Sequence, residues 1–169
     1  WYHAELLPDG SVLALNYEER LTRLDIDSRK MWQIRGGFHH GVLMGKDRLL
    51  YAITHEPRVI PELHSHPVLT DTIRVISLDG EIVESMDLID LMLDSPYRFL
   101  LPSFQDRKFE SREEVDVDVL HTNHVEAFDG NLADRSPLFA EGNLLVSMRN
   151  INTIAIIDRE KGEIAWAWG

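Results

Sequence analysis

The sequence predicts an all-β fold: a β-propeller segment of about three four-stranded blades, with one short helix near residues 87–95. Three observations carry this. Short apolar strands alternate with turn residues about every 8–12 positions, the signature of an antiparallel meander. HGVLMGKDRLLYAI can be laid over HAELLPDGSVLAL at a constant offset of 37 residues. The closing stretch TIAIIDREKGEIAWAW repeats the pattern of RLTRLDIDSRKMWQI and TIRVISLDGEIVESM, with Trp32 and Trp166 at corresponding places. Internal repetition with units of roughly 40–50 residues points to a propeller. A sandwich would not place a histidine at the entry of each unit.

The first unit opens at His3, turns at Pro8-Asp9-Gly10, and runs through VLAL, RLTRLDID and MWQI. The second restarts at His40. Its middle holds an insertion, HEPRVIPELHSHPVLTD, whose three prolines read as a loop. Asp87 is a plausible N-cap for DLIDLMLDSPYRFLL, whose apolar residues at 88, 89, 91, 92 and 93 fit a short helix stopped before Pro96. The next stretch, PSFQDRKFESREE, reads as polar loop. The third unit begins near Val119, with an enlarged inner loop from Asp129 to Glu141. The expected layout is one propeller segment over 1–169, with blades at about 3–35, 40–86 and 117–168 and helix plus loop over 87–116. Three units do not close a ring. The remaining blades are therefore expected from the same chain or from another.

The chain's 169 residues suffice for one ordinary domain, and 44% hydrophobic content with mean hydropathy -0.20 excludes a disordered chain. A formal net charge of -12 argues against general nucleic-acid or anionic-membrane binding. No cysteine is present, so disulfide frameworks and thiolate metal sites are excluded. No apolar run approaches the ~18 residues of a membrane span. The chain opens Trp1-Tyr2-His3, without methionine, as a processed, trimmed or partial chain would. The lack of a targeting segment is uninformative for that reason.

Several polar residues interrupt the apolar pattern. Arg149 ends an apolar strand; it is either paired with an acid at the sheet edge or an oxyanion ligand, for which its planar guanidinium is suited. Strand alternation puts His121 and Asn123 on one face, where they either cap the strand or share a ligand. His124 points the other way and reads as structural. His39 and His40 follow Gly36-Gly37, and His3 lies at the chain end. His55, His64 and His66 suggest a metal site on the insertion, but no third ligand has motif spacing, so no metal and no cofactor is expected. Glu18, Glu19 and the VDVDV run read as solvated or strand-flanking charges. Trp32, Trp166 and Trp168 read as blade-packing core. There is no glycine-rich phosphate loop, serine elbow or DNA-binding motif.

LHTNHVEAFDG followed by DRSPLFAEGNLLVSMRNINTIAIIDREKGEIAWAWG resembles the bacterial arylsulfotransferases of the aryl-sulfate sulfotransferase type. The features that match are the His-x-Asn entry (His121, Asn123), the Leu-Val-Ser-x-Arg strand (Leu145 to Arg149) and the Gly-x-Ile-x-Trp ending. The resemblance implies a six-bladed, periplasmic or otherwise exported propeller. It also implies sulfuryl transfer from a phenolic sulfate ester to a phenol, by a ping-pong route through a sulfated histidine and without a nucleotide sulfate donor. On this pattern His121, Arg149 and His40 serve catalysis, while Asn123, His39 and His3 bind substrate; either His39 or His40 faces the channel. The family's nucleophilic histidine lies in a Gln-His segment beyond the stretch matched by Gly169. The resemblance therefore implies that the covalent step belongs to a blade absent from this chain, which alone is expected to be inactive. The alternative is a non-catalytic propeller scaffold or an accessory subunit of a larger assembly.

Overall fold

The computed structural model describes residues 1–102 and 117–169. The polar stretch read as loop after Pro102 lies outside the described residues. The described strands form three four-stranded antiparallel sheets. The first holds β1 (His3–Leu6), β2 (Val12–Asn16), β3 (Arg20–Leu24) and β4 (Lys30–Arg35). The second holds β5 (Phe38–Met44), β6 (Leu50–Ile60), β7 (His64–Ile76) and β8 (Ile82–Asp87). The third holds β9 (Thr122–Ala127), β10 (Leu144–Met148), β11 (Thr153–Asp158) and β12 (Glu163–Trp168). Within each sheet the strands follow chain order from a first to an outer fourth strand, and neighbouring sheets meet through β1 against β5 and β5 against β9. This is a propeller segment; three sheets do not close a ring.

The repeat extends to an irregularity. In each sheet the fourth strand carries one extra residue against the third: Met31, Val83 and Ala165 have no Cα partner. Trp32 and Trp166 flank this bulge in equivalent positions, with Glu84 between them in the series. The offset of 37, however, is corrected to 38. Leu6 pairs with Val12 and Met44 with Leu50, and the connecting turns match bond for bond: Leu7 N to Ser11 O (2.8 Å) and Gly45 N to Leu49 O (2.9 Å). Gly10 and Arg48 occupy the same left-handed position in those turns. A single-residue slip exchanges the two faces of a strand. The ladder then places His39, opposite Ile53, where His3 stands opposite Leu15 in the first sheet, with His40 and Gly41 as extra residues.

The proline-bearing insertion is not a loop. β6 and β7 run on as one long hairpin, paired from Leu50↔Ile76 to Ile60↔His64, with Pro57 opposite Leu69. Burial decides this over composition. Ile60, Leu63 and Val68 are all under 4% exposed and join the main core, which also takes in Leu88, Ile89 and Met92 of α1 (Leu88–Leu93). That helix starts as expected: the Asp87 carboxylate accepts from the N–H groups of Ile89 (3.0 Å) and Asp90 (3.1 Å).

Two arginines fasten the sheets outside the core. Arg23 donates to Ser11 Oγ (2.9 Å), to Asp9 and to Leu78 O at the far turn of the second sheet. Arg159 donates to Glu84 Oε2 (2.7 Å) and Tyr51 Oη (2.8 Å), joining the third sheet to the second. Trp32 packs against the smaller core and donates to Leu78 O at 2.8 Å. Trp168 is corrected to a surface residue: it ends β12, an outer edge strand, and is 68% exposed.

Gly37 is where two backbones come closest. It accepts the His55 N–H at 2.9 Å, and a Cβ there would fall on the His55 carbonyl oxygen, well inside van der Waals contact. At Gly36 a Cβ would meet only the ring of Phe38, at 3.3 Å. Gly37→Ala is expected to cost about 1–3 kcal/mol by overpacking against backbone, and Gly36→Ala distinctly less; urea unfolding of the two variants checks the difference.

Candidate functional site

The first strands deliver their polar residues to one end of the sheet seams by breaking register. β5 carries two extra residues, His40 and Gly41, between His39↔Ile53 and Val42↔Ala52. β9 carries one, Asn123, between Thr122↔Met148 and His124↔Ser147. His40 and His121 both sit in the left-handed region, at φ 57 and 47. Non-glycine residues there cost about 1 kcal/mol or more and persist only where surrounding contacts hold them, often at functional sites.

The two left-handed histidines meet. His40 Nε2 lies 3.1 Å from His121 Nε2, with the rings edge-on at 4.9 Å between centroids. His121 is held from behind by Asp118, whose carboxylate accepts both its backbone N–H (3.0 Å) and its Nδ1–H. That bond fixes the tautomer and leaves one proton to lie between the two Nε2 atoms. Asp118 is itself anchored: its carbonyl accepts from Asn150 Nδ2 (2.7 Å), and it bridges to Leu69 of β7.

Arg149 follows β10 rather than ending it, opening a short 3-10 turn over Arg149–Ile151. Its backbone N–H donates to His121 O at 3.3 Å, and its side chain is exposed. Nε donates to Asn150 Oδ1 (3.2 Å), and the guanidinium forms no ion pair with any described carboxylate. Its charge is near enough to disfavour protonation of His40.

The other expected residues go elsewhere. His121 precedes β9 while Asn123 lies in its bulge, so the shared strand face expected from alternation is corrected: the bulge intervenes. Asn123 lines a cavity of about 180 Å³ between the first strands, together with His3, Gly41 and His124. His3 rests against Gly41, where a Cβ would lie 3.8 Å from its ring. His39 is turned inward at 2% exposure, facing Asp71 and stacked on His55 at 4.4 Å. Of the pair 39 and 40, it is His40 that reaches His121. His55 also stands apart from His64 and His66. It pairs with Asp71, and His66 lies five residues further along β7, about 16 Å away at strand rise; no metal is shared among these three.

Two carboxylates central to the arrangement were read from sequence as flanking charge or not singled out. Asp118 carried a usable signal, since it lies three residues before His121, within reach of one turn. Asp71 carried none. It is 51 residues from Thr122, whose N–H it accepts at 2.6 Å.

Residues 3–169 match the family model described as Arylsulfotransferase (ASST). The match covers nearly the whole chain, and the chain belongs to that family. Comparison with curated proteins gives no match. Membership supports a sulfotransferase-like function and suggests aryl sulfates and phenols as substrates.

Burial holds His40 below its ordinary value of 6.5, helped by the charges of His39, His121 and Arg149 and opposed by Asp71. Burial, then His39, does the same to His55. A depressed histidine favours the folded state above its unfolded value and withdraws that support as pH falls below it. Stability is therefore expected to drop between pH 7.5 and 5.5. Urea midpoints at the two pH values check this, with a smaller drop in His40→Gln.

Proposed function

We propose that the protein takes part in sulfuryl transfer from a phenolic sulfate ester to a phenol, with His40, His121 and Arg149 holding the sulfate and Asn123 and His3 completing its surroundings, while His39 is turned away from it. The observation that carries this reading is the His40–His121 contact beside an arginine with no carboxylate partner among the described residues. A sulfuryl group in flight spreads negative charge over its oxygens. Cationic and N–H donors aimed at those oxygens lower the barrier. Arg149 supplies a permanent charge. His40, held below its ordinary value mainly by burial, gains a second N–H more readily when an anion arrives, because a neighbouring negative charge favours the protonated imidazole.

In the first half-reaction the S–O bond to the aryl oxygen breaks as an N–S bond forms to an acceptor imidazole, and the leaving phenolate takes up a proton. In the second half-reaction a phenol oxygen attacks sulfur, loses its proton, and the N–S bond breaks. On the family resemblance the acceptor imidazole lies outside residues 1–169. The chain's own part is then to bind, orient and neutralise the sulfate. The same resemblance favours a six-bladed ring and an exported setting. An apolar hollow of about 440 Å³ on the third sheet, lined by Phe128, Leu145, Ile156 and Trp166, is where a further blade would pack. Such a blade would come from the same chain or another.

Arg149→Ala is expected to weaken phenyl sulfate binding about 10- to 100-fold, the loss of one to two charge-assisted hydrogen bonds, with the far-UV spectrum unchanged. Calorimetric titration measures it; an unchanged affinity would remove Arg149 from the site and favour the scaffold reading.

A further inference from the structure

A second cluster lies behind the histidine pair. His39 on β5, His55 on β6 and Asp71 on β7 come from three adjacent strands of the second sheet, with His55 and Asp71 directly opposed in the ladder. One ligand-type atom from each lies within 4.8 Å of the others. His39 Nε2 and Asp71 Oδ1 are 3.3 Å apart, but they are out of line for a hydrogen bond. Neither atom has a hydrogen-bond partner among the described residues, although both are buried. Burying two such atoms face to face is costly unless something sits between them. The other Asp71 oxygen is taken by the Thr122 N–H at 2.6 Å, which leaves Oδ1 as a single oriented donor.

A further carboxylate faces His55 from the first sheet, outside the three-residue cluster. Glu18 Oε1, in the turn between β2 and β3, is 3.4 Å from His55 Nε2. Metal–ligand bonds of about 2.0–2.1 Å in a tetrahedron set neighbouring donors about 3.3–3.4 Å apart. The His39–Asp71 separation matches that edge. We propose that His39, His55 and Asp71 bind a divalent ion of the zinc class. Two imidazoles with a carboxylate suit zinc and its d-block neighbours, and disfavour magnesium and calcium, which take oxygen ligands. Three protein donors hold the ion and leave a fourth position for water. The ion ties three neighbouring strands of the second sheet together and, through Asp71 and Thr122, joins them to the third. Burial favours the neutral form of His55, the form that ligates. The site does not depend on the sulfuryl-transfer reading.

The purified protein, stripped with EDTA, is titrated with zinc against a chromophoric chelator and separately with cobalt(II). One equivalent of zinc, a raised unfolding midpoint and the visible absorption of tetrahedral cobalt are expected. His39→Gln and Asp71→Asn are expected to weaken zinc binding about tenfold or more. His55→Gln, at a less enclosed position, gives the same reading where the other variants fail to fold. His64→Ala with His66→Ala is expected to leave stoichiometry unchanged. The proposal is overturned by the absence of zinc or cobalt binding, by one equivalent persisting in His55→Gln at full affinity, or by loss of binding in the His64/His66 variant.

Discussion

The Asp71 carboxylate is the constraint on which the histidine arrangement depends. It is 1% exposed and sits where the second and third sheets meet. Burial alone would raise its proton affinity, but His39 and the Thr122 N–H more than offset this and hold it below the usual carboxylate value. By accepting from Thr122 it sets where β9 begins. The residue just before, His121, must then turn through a left-handed backbone to bring its ring to His40. Removing one partner from so buried a group leaves an uncompensated charge, which costs more than the contact itself contributes.

The register breaks follow from the same requirement. A regular β5 would alternate its side chains between the two sheet faces and present only one of two adjacent histidines to the seam. The two-residue bulge lets His39 turn inward to Asp71 while His40, its neighbour, turns to His121. Bulges re-aim side chains at the cost of ladder hydrogen bonds. Here the cost falls on the first strands, beside the cavity that also takes His3 and Asn123. Family membership supports a sulfotransferase-like function for the chain.

Much of the fold was legible because its signals are local. Period-two alternation, the Asp and Gly turns and the Asp87 cap each lie within a few residues. The repeat was visible too, but its register was not. Anchoring on the histidines gave 37, whereas the turns Leu7–Ser11 and Gly45–Leu49 set 38. The long β6–β7 hairpin was hidden because three prolines mark a loop by composition, while the burial of Ile60 and Val68 that keeps it in the sheet is a tertiary fact. At the site, His40, His121 and Arg149 stood out as polar residues at ends of apolar strands. Asp71 did not, since its partners come from β5 and β9, and nothing near it in sequence indicates either.

The central claim is that imidazoles from two sheets share one proton at the seam. Uniform 15N labelling tests it directly, by looking for scalar coupling across the hydrogen bond between His40 Nε2 and His121 Nε2. The account predicts a resolved nitrogen–nitrogen coupling between these two atoms, with His121 Nδ1 protonated toward Asp118. Two uncoupled imidazoles that titrate independently, with His121 Nδ1 unprotonated, would contradict it.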